Sequence, residues 1–362
     1  MKLYRKLAFL AIIALLVRGL VALGAETALD SFLQFAIQDE EIVAGAVFGQ
    51  SPLLSSAAQS LSFVEYREEE TYSENQEDDI IENTPIEFLP PIQMPEGDTR
   101  PAQTFPDLAF SGWDRPSASA LELRNHTTHA VNIEQLFDAP LRFDLSNNGN
   151  PTVLILHTHG TESFTPDGFD WYDNTDNYRS NDTRLNIIRV GEEVAAVLES
   201  RGINVIHSRQ IHDYPSFRGS YGRSLTAAQE YLARYPEIDV IFDIHRDAMM
   251  DNSGNYIRTL ANVAEQDTAQ VMLVVGTDHA GLYHPGWRDN LGFALQLQGE
   301  MVGFHPTFAR PISLREERFN HHLTPGSVLV EIGKNTNTLQ EALAAGRIFA
   351  QLAANVILGE EH

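Results

Sequence analysis

Cysteine is absent from the 362 residues of this sequence. Without it the chain forms no disulfide bonds, and it offers no thiolate to a metal and no thiol nucleophile. Positive charge is also scarce, because 25 Lys and Arg are set against 50 Asp and Glu, giving a formal net charge of −25. A polyanion would repel so acidic a chain, so nucleic acid is not expected as a partner.

Several common catalytic motifs are missing as well. The sequence has no G-x-S-x-G elbow, no P-loop, no dinucleotide-binding fingerprint and no H-E-x-x-H helix. These absences disfavour serine hydrolases of the usual α/β type, nucleotide-dependent enzymes and zincin proteases.

The N-terminal segment has the pattern of an export signal. Lys2, Arg5 and Lys6 precede an apolar run over 7–25 that is interrupted by Arg18. Basic residues ahead of an apolar stretch stay inside and send the following chain across the membrane. We therefore predict a signal anchor at 1–25, a single-pass protein of the cell membrane and an extracytoplasmic catalytic domain. The small residues near the end of the run leave signal cleavage open.

Composition changes twice more along the chain. Residues 26–64 mix apolar and small side chains and could form one or two helices, with no recognisable chemistry. Residues 65–107 are rich in acidic residues and proline, a composition that predicts an extended, disordered linker. The segment 125–362 is the predicted catalytic domain.

From residue 151 onward, strand-like and helix-like segments alternate. Short apolar runs of the kind that form buried strands occur at 153–156, 204–206, 240–244, 270–275 and 328–330. Apolar residues at helical spacing occur at 183–200, 225–235, 290–302 and 338–358. This order predicts an α/β fold with a mainly parallel or mixed central sheet and helices on both faces.

Ionisable side chains follow three of the predicted strands at the point where each strand ends. His157 and His159 follow the first, His245 follows the third and Glu331 follows the last. The carboxyl ends of parallel strands open into one crevice, so we expect these side chains to meet there. Imidazole and carboxylate are ligands of catalytic zinc, which takes three protein ligands and keeps a fourth position for water.

Roles for these residues follow from that chemistry. Alternation along an extended strand end would place His157 and His159 on the same side, so that both bind the metal or one orients the other. Glu162 adds a carboxylate, and an acidic residue beside His245 could hold the second ring nitrogen of that histidine. Glu331, a carboxylate at the end of a buried strand, could take a proton from water and return it to a leaving amine.

These motifs resemble those of the stage II sporulation protein P family of spore-forming bacteria. The motifs occur in the family's order: His-Thr-His at 157–159 with Glu162, Ser-Asn-Asp at 180–182, Asp-Ile-His-Arg-Asp at 243–247, and Glu-Ile-Gly at 331–333. The resemblance implies a zinc-dependent N-acetylmuramoyl-L-alanine amidase, with an endopeptidase activity as well, that thins septal peptidoglycan during engulfment. It also implies the fold of zinc-dependent cell-wall amidases and a membrane partner, stage II sporulation protein D, among other septal proteins.

The resemblance leaves one metal ligand open. Related zinc amidases take a glutamate from the start of the first helix, where this chain has Asn-Asp-Thr at 181–183, so either Glu162 or Asp182 would complete the set. Two other functions remain compatible with the sequence. One is a non-catalytic, membrane-anchored scaffold that binds cell wall, and the other is a zinc hydrolase of a different amide.

Overall fold

The computed structural model describes residues 108–143, 152–165, 178–251 and 256–360. The predicted signal anchor at 1–25, the segment 26–64 and the predicted linker at 65–107 lie outside these residues. The described strands are β1 (Leu123–Asn125), β2 (Val153–Leu156), β3 (Val205–His207), β4 (Val240–Asp247), β5 (Leu260–Val263), β6 (Gln266–Ala269), β7 (Val271–Gly276), β8 (Ile312–Arg315) and β9 (Gly326–Lys334). The described α-helices are α1 (Ile133–Phe137), α2 (Ile187–Ser200), α3 (Ser220–Arg234), α4 (Trp287–Phe304) and α5 (Leu339–Leu358), with 3-10 turns at Ala118–Ala120 and His321–Leu323.

Seven of the strands form one central sheet in the order β1-β8-β7-β9-β4-β2-β3. Neighbouring strands run parallel, except that β7 and β9 are antiparallel. β5 and β6 form a separate antiparallel pair. The sheet is therefore mixed, which confirms the predicted class.

Helices cover both faces of the sheet, as the sequence predicts. On one face, alternate strand residues such as Phe242 and Val330 pack with α2, α4 and α5 in one large apolar cluster. On the other face, Leu154 and Ile241 pack with Ala228 of α3. Successive strand residues point to opposite faces, so both sides of the central strands are buried and their runs are continuously apolar.

Helix α5 belongs to the core. It begins at a capping box in which the Thr338 and Glu341 side chains cap each other's backbone amides, and it ends at Gly359, whose φ is 62°. Among the residues that the structure describes, α5 is the one helix long and apolar enough to cross a membrane, but 78% of its apolar window is buried inside the protein.

The strands that carry the predicted site are longer than the apolar runs indicate. β4 continues to Asp247 and β9 continues to Lys334, so His245 and Glu331 lie within strands rather than after them. β2, β4 and β9 are adjacent and parallel. Their carboxyl ends therefore meet at one edge of the sheet, as predicted.

Candidate metal centre

His159, Glu162 and His245 come together in a buried cluster. One ligand atom from each of the three lies within 4.8 Å of the others. The Nδ1 atom of His159 is 3.6 Å from Oε1 of Glu162, and Nδ1 of His245 is 3.6 Å from Oε2 of the same carboxylate. Each of the three side chains is at most 6% exposed. The carboxylate thus lies between two imidazoles, which is the donor set of a three-ligand zinc site.

The turn after β2 supplies two members of this cluster. The strand ends at Leu156, and the chain then turns, so that His159 and Glu162 lie above the carboxyl end of β4. The backbone amide of Arg246 donates to Oε2 of Glu162 at 3.0 Å, which fixes the carboxylate against β4. The ring of Phe217 lies 4.3 Å from the ring of His159 and packs over it.

Asp243 orients His245, the third residue of the cluster. The Nε2 atom of His245 lies 2.9 Å from Oδ1 of Asp243, while Nδ1 of His245 faces Oε2 of Glu162 at 3.6 Å. Asp243 also accepts hydrogen bonds from the amide of Thr158 at 2.8 Å and from its hydroxyl at 2.6 Å. A carboxylate behind a histidine fixes the ring and its tautomer. The sequence analysis expected an acidic neighbour to hold a ring nitrogen of His245, and the structure places Asp243 beside that ring.

Charge in the cluster favours a cation. Burial raises the pKa of Glu162, but the hydrogen bond from His159 and the charges of His245 and Arg246 outweigh it and lower that pKa below its usual range. Burial lowers the pKa of His245, but Asp243 and Glu162 outweigh it and raise that pKa to about 9. When no metal is bound, a proton on His245 offsets the two carboxylates. A divalent cation fits the same role, so the residues present fit zinc.

Glu331 lies beside the cluster. It pairs with His245 in the register of β4 and β9, so the two side chains share one face of the sheet. Glu331 is 1% exposed, and its charge is one of those that raise the pKa of His245. A buried carboxylate beside a candidate metal site is the kind of group that can act as a general base.

His157 lies outside the cluster. Its Nδ1 atom is 2.9 Å from the carbonyl oxygen of Ile244, and its Nε2 atom is 2.8 Å from Nε2 of His207. Burial lowers its pKa to about 4, so the ring is neutral. The alternation that would place His157 and His159 on one side does not extend past Leu156, because the chain turns there. The structure brings His159 to the cluster and keeps His157 between β4 and α2.

Asp182 also lies away from the cluster. It forms an ion pair with Arg184, and its side chain is 25% exposed. Of the two carboxylates left open by the sequence, the structure brings Glu162 to the histidines.

Tyr221, Asp213 and Arg179 lie near the cluster and were not predicted from the sequence. Tyr221 of α3 contacts the ring of His159, with ring centroids 5.6 Å apart. Asp213 accepts from the amide of Thr161 at 3.1 Å and from Arg179 at 2.9 Å, which holds the turn that carries Glu162. No pattern in the sequence connects these residues with the histidine motifs, because their proximity arises from the tertiary fold.

The fold and the cluster define an α/β protein with a candidate His–Glu–His metal site at the carboxyl edge of a mixed sheet. The chain belongs to the stage II sporulation protein P (SpoIIP) family, whose model matches residues 52–354. Stage II sporulation protein P of Bacillus subtilis (strain 168) is 25% identical over 269 residues, which are 70% of this chain and 62% of the relative. The chain thus spans less than two thirds of that relative's length.

Three solved structures to which this chain is similar are those of amidases. The N-acetylmuramoyl-L-alanine amidase AmiC2 of Nostoc punctiforme is 18% identical, with a TM-score of 0.32, and the match covers 58% of this chain and 97% of that one. An N-acetylmuramoyl-L-alanine amidase from Clostridium difficile 630 is 15% identical, with a TM-score of 0.37 and coverage of 58% and 96%. The CwlD amidase of Clostridioides difficile, solved with the GerS lipoprotein, is 15% identical, with a TM-score of 0.35 and coverage of 57% and 95%.

Proposed function

We propose that this protein is a zinc-dependent peptidoglycan hydrolase that acts as an N-acetylmuramoyl-L-alanine amidase on septal cell wall during sporulation. The observation that carries the proposal is the buried cluster of His159, Glu162 and His245, with Glu331 opposite His245 in the sheet. Membership of the SpoIIP family supports sporulation as the setting.

Each residue of the cluster has a role in this proposal. His159, Glu162 and His245 would hold zinc, and Asp243 would keep Nδ1 of His245 directed at it. Zinc in such a site supplies Lewis acidity toward water and toward an amide carbonyl. Glu331 would accept the proton of the attacking water and deliver it to the amide nitrogen of the stem peptide, so that the lactyl–alanine bond breaks and a free amine leaves.

The site's location in the cell is part of the same proposal. The basic and apolar pattern at 1–25 would anchor the chain in the membrane, and the acidic segment 65–107 would hold the domain away from it. Peptidoglycan would be the substrate, and stage II sporulation protein D is the partner that the family resemblance implies.

Hydrolysis by the full-length chain, purified in mild detergent, tests the function. We expect stem peptides beginning with a free L-alanine amine to be released from purified peptidoglycan, as measured by mass spectrometry. A chelator should stop release, and added zinc should restore it.

Two variants separate an enzyme from a wall-binding scaffold. Glu331→Gln should lower the rate by about 10²- to 10⁴-fold, the range for loss of a general base, while binding of peptidoglycan persists. Glu192→Gln, on the surface of α2, is the matched control and should leave the rate unchanged. Equal rates in wild type and Glu331→Gln, or release that is indifferent to chelator, would contradict the proposal.

A further inference from the structure

Tyr221 carries a buried polar group that the proposed mechanism does not yet use. Its hydroxyl oxygen is shielded from solvent and has no hydrogen-bond partner among the residues that the structure describes. Burying a hydroxyl without a partner costs free energy, and such groups in native proteins therefore call for a functional explanation. Tyr221 is the second residue of α3, the helix that covers the same face of the sheet as His245 and Glu331.

The position of this side chain is fixed by several contacts. Its backbone carbonyl accepts from Nδ2 of Asn320 at 3.0 Å and from the hydroxyl of Ser224 at 3.1 Å. The Ser224 hydroxyl oxygen also lies 2.8 Å from the hydroxyl oxygen of Thr158, whose proton is donated to Asp243. A series of close polar contacts thus links the start of α3 to the carboxylate that orients His245.

Aromatic packing fixes the ring as well. The ring of Phe319 lies 5.7 Å from that of Tyr221, and the ring of His159 meets it edge-on at 5.6 Å. Phe319 and Asn320 both have positive φ, at 48° and 62°, a backbone conformation that non-glycine residues adopt at a cost. The turn at Phe319 and Asn320 is therefore strained, and the Phe319 ring in this turn packs against the ring of Tyr221.

The hydroxyl remains a donor in this setting. Burial raises the pKa of Tyr221 well above 10, and the surrounding carboxylates of Asp243, Glu331 and Glu162 raise it further. The ring contact with His159 places the phenol beside the cluster of His159, Glu162 and His245. A fixed, protonated hydroxyl beside the reacting centre is suited to stabilise negative charge that develops on a substrate oxygen.

We propose that Tyr221 is a further catalytic residue, whose hydroxyl donates a hydrogen bond to the carbonyl oxygen of the scissile amide as that oxygen gains negative charge. The proton stays on Tyr221 throughout, so Glu331 carries all of the proton transfer. This inference rests on the proposed amidase function, because it needs an amide bond bound beside the cluster.

Tyr221→Phe tests the inference, with Tyr231→Phe as a matched control. Tyr231 lies about 15 Å further along the same helix, at the helical rise of 1.5 Å per residue, and packs in the apolar cluster under α3. On a soluble muropeptide substrate, Tyr221→Phe should lower kcat by about 10²- to 10³-fold, as loss of one oxyanion donor does elsewhere, with KM changed less than about twofold. Tyr231→Phe should leave kcat unchanged.

Two further readouts separate catalysis from structure. Because the hydroxyl has no hydrogen-bond partner to lose within the described part of the chain, Tyr221→Phe should melt at the same temperature as wild type or higher, with and without zinc. Its zinc content should also equal that of wild type. The inference is overturned if Tyr221→Phe keeps the kcat of the control, or if its activity falls together with its melting temperature and zinc content. Absence of hydrolysis by wild type would overturn both this inference and the proposed function.

Discussion

Asp243 should control both the strength and the pH dependence of zinc binding. In Asp243→Asn, the side-chain oxygen can keep its contacts with the backbone amide of Thr158 and with His245. The new side-chain NH2 group would face the Thr158 hydroxyl. That hydroxyl can accept from the NH2 group, because its own proton can be donated to Ser224 instead. The substitution therefore removes charge with little change of shape. Loss of a carboxylate behind a metal-bound histidine weakens metal binding by about 10- to 100-fold.

Zinc and a proton compete for His245, so the effect of Asp243→Asn on zinc affinity should depend on pH. Asp243 raises the pKa of His245, which lies at about 9 when no metal is bound. Zinc must displace that proton, so at pH 7 the apparent affinity of wild type is reduced by about 100-fold. Without the carboxylate, the pKa of His245 falls and less affinity is lost to protons. Above pH 9, Asp243→Asn should therefore bind zinc more weakly than wild type. As the pH falls toward 7, the zinc affinities of the two proteins should become equal.

Competition with a chromophoric chelator from pH 7 to pH 9.5 measures this effect. The affinity of wild type should rise steeply to about pH 9, while that of Asp243→Asn should be flatter. Asp247→Asn is the matched control, because Asp247 lies on the same strand but pairs with Arg310 at 2.6 Å. Parallel pH profiles for wild type and Asp243→Asn would refute the assignment of Asp243, as would weaker zinc binding in the control alone.

Two further predictions concern stability. Gly191→Ala would place a Cβ 2.5 Å from Nε2 of His157, whereas the Cβ of the control Gly222→Ala would meet nothing within 4 Å. The free energy of unfolding, measured in urea, should therefore be lower for Gly191→Ala than for Gly222→Ala by about 1–3 kcal/mol. Equal urea midpoints for the two variants would contradict the packing of His157 against α2. In chelator, the raised pKa of His245 contributes stability that is fully present below about pH 6.5 and lost as the pH rises through about 9, so the free energy of unfolding should fall over that window by at most roughly 3 kcal/mol. The opposite slope in urea denaturation would show that His245 is not held by the carboxylates.

Much of the fold could be predicted because its central strands are buried on both faces. The runs at 153–156 and 240–244 are continuously apolar, and β2 and β4 occupy them. β1 and β8 were not predicted, since three or four residues at or near the edge of a sheet leave no recognisable pattern. The reversed direction of β7 relative to β9 is set by tertiary connections rather than by local sequence.

The site was predictable where chemistry and strand position coincide. His245 and Glu331 follow apolar runs on neighbouring strands, and the register of β4 and β9 places them opposite each other. His157 follows such a run too, but the turn after Leu156 directs it to His207 instead. Tyr221 could not be predicted, because its place beside His159 depends on how α3 packs on the sheet.

The location of bound zinc tests the central claim most directly. Crystals of the full-length protein grown with zinc, measured on both sides of the zinc absorption edge, should show one strong anomalous peak within about 2 Å of His159, Glu162 and His245. A peak between His157 and His207, or none at the cluster under saturating zinc, would contradict the account.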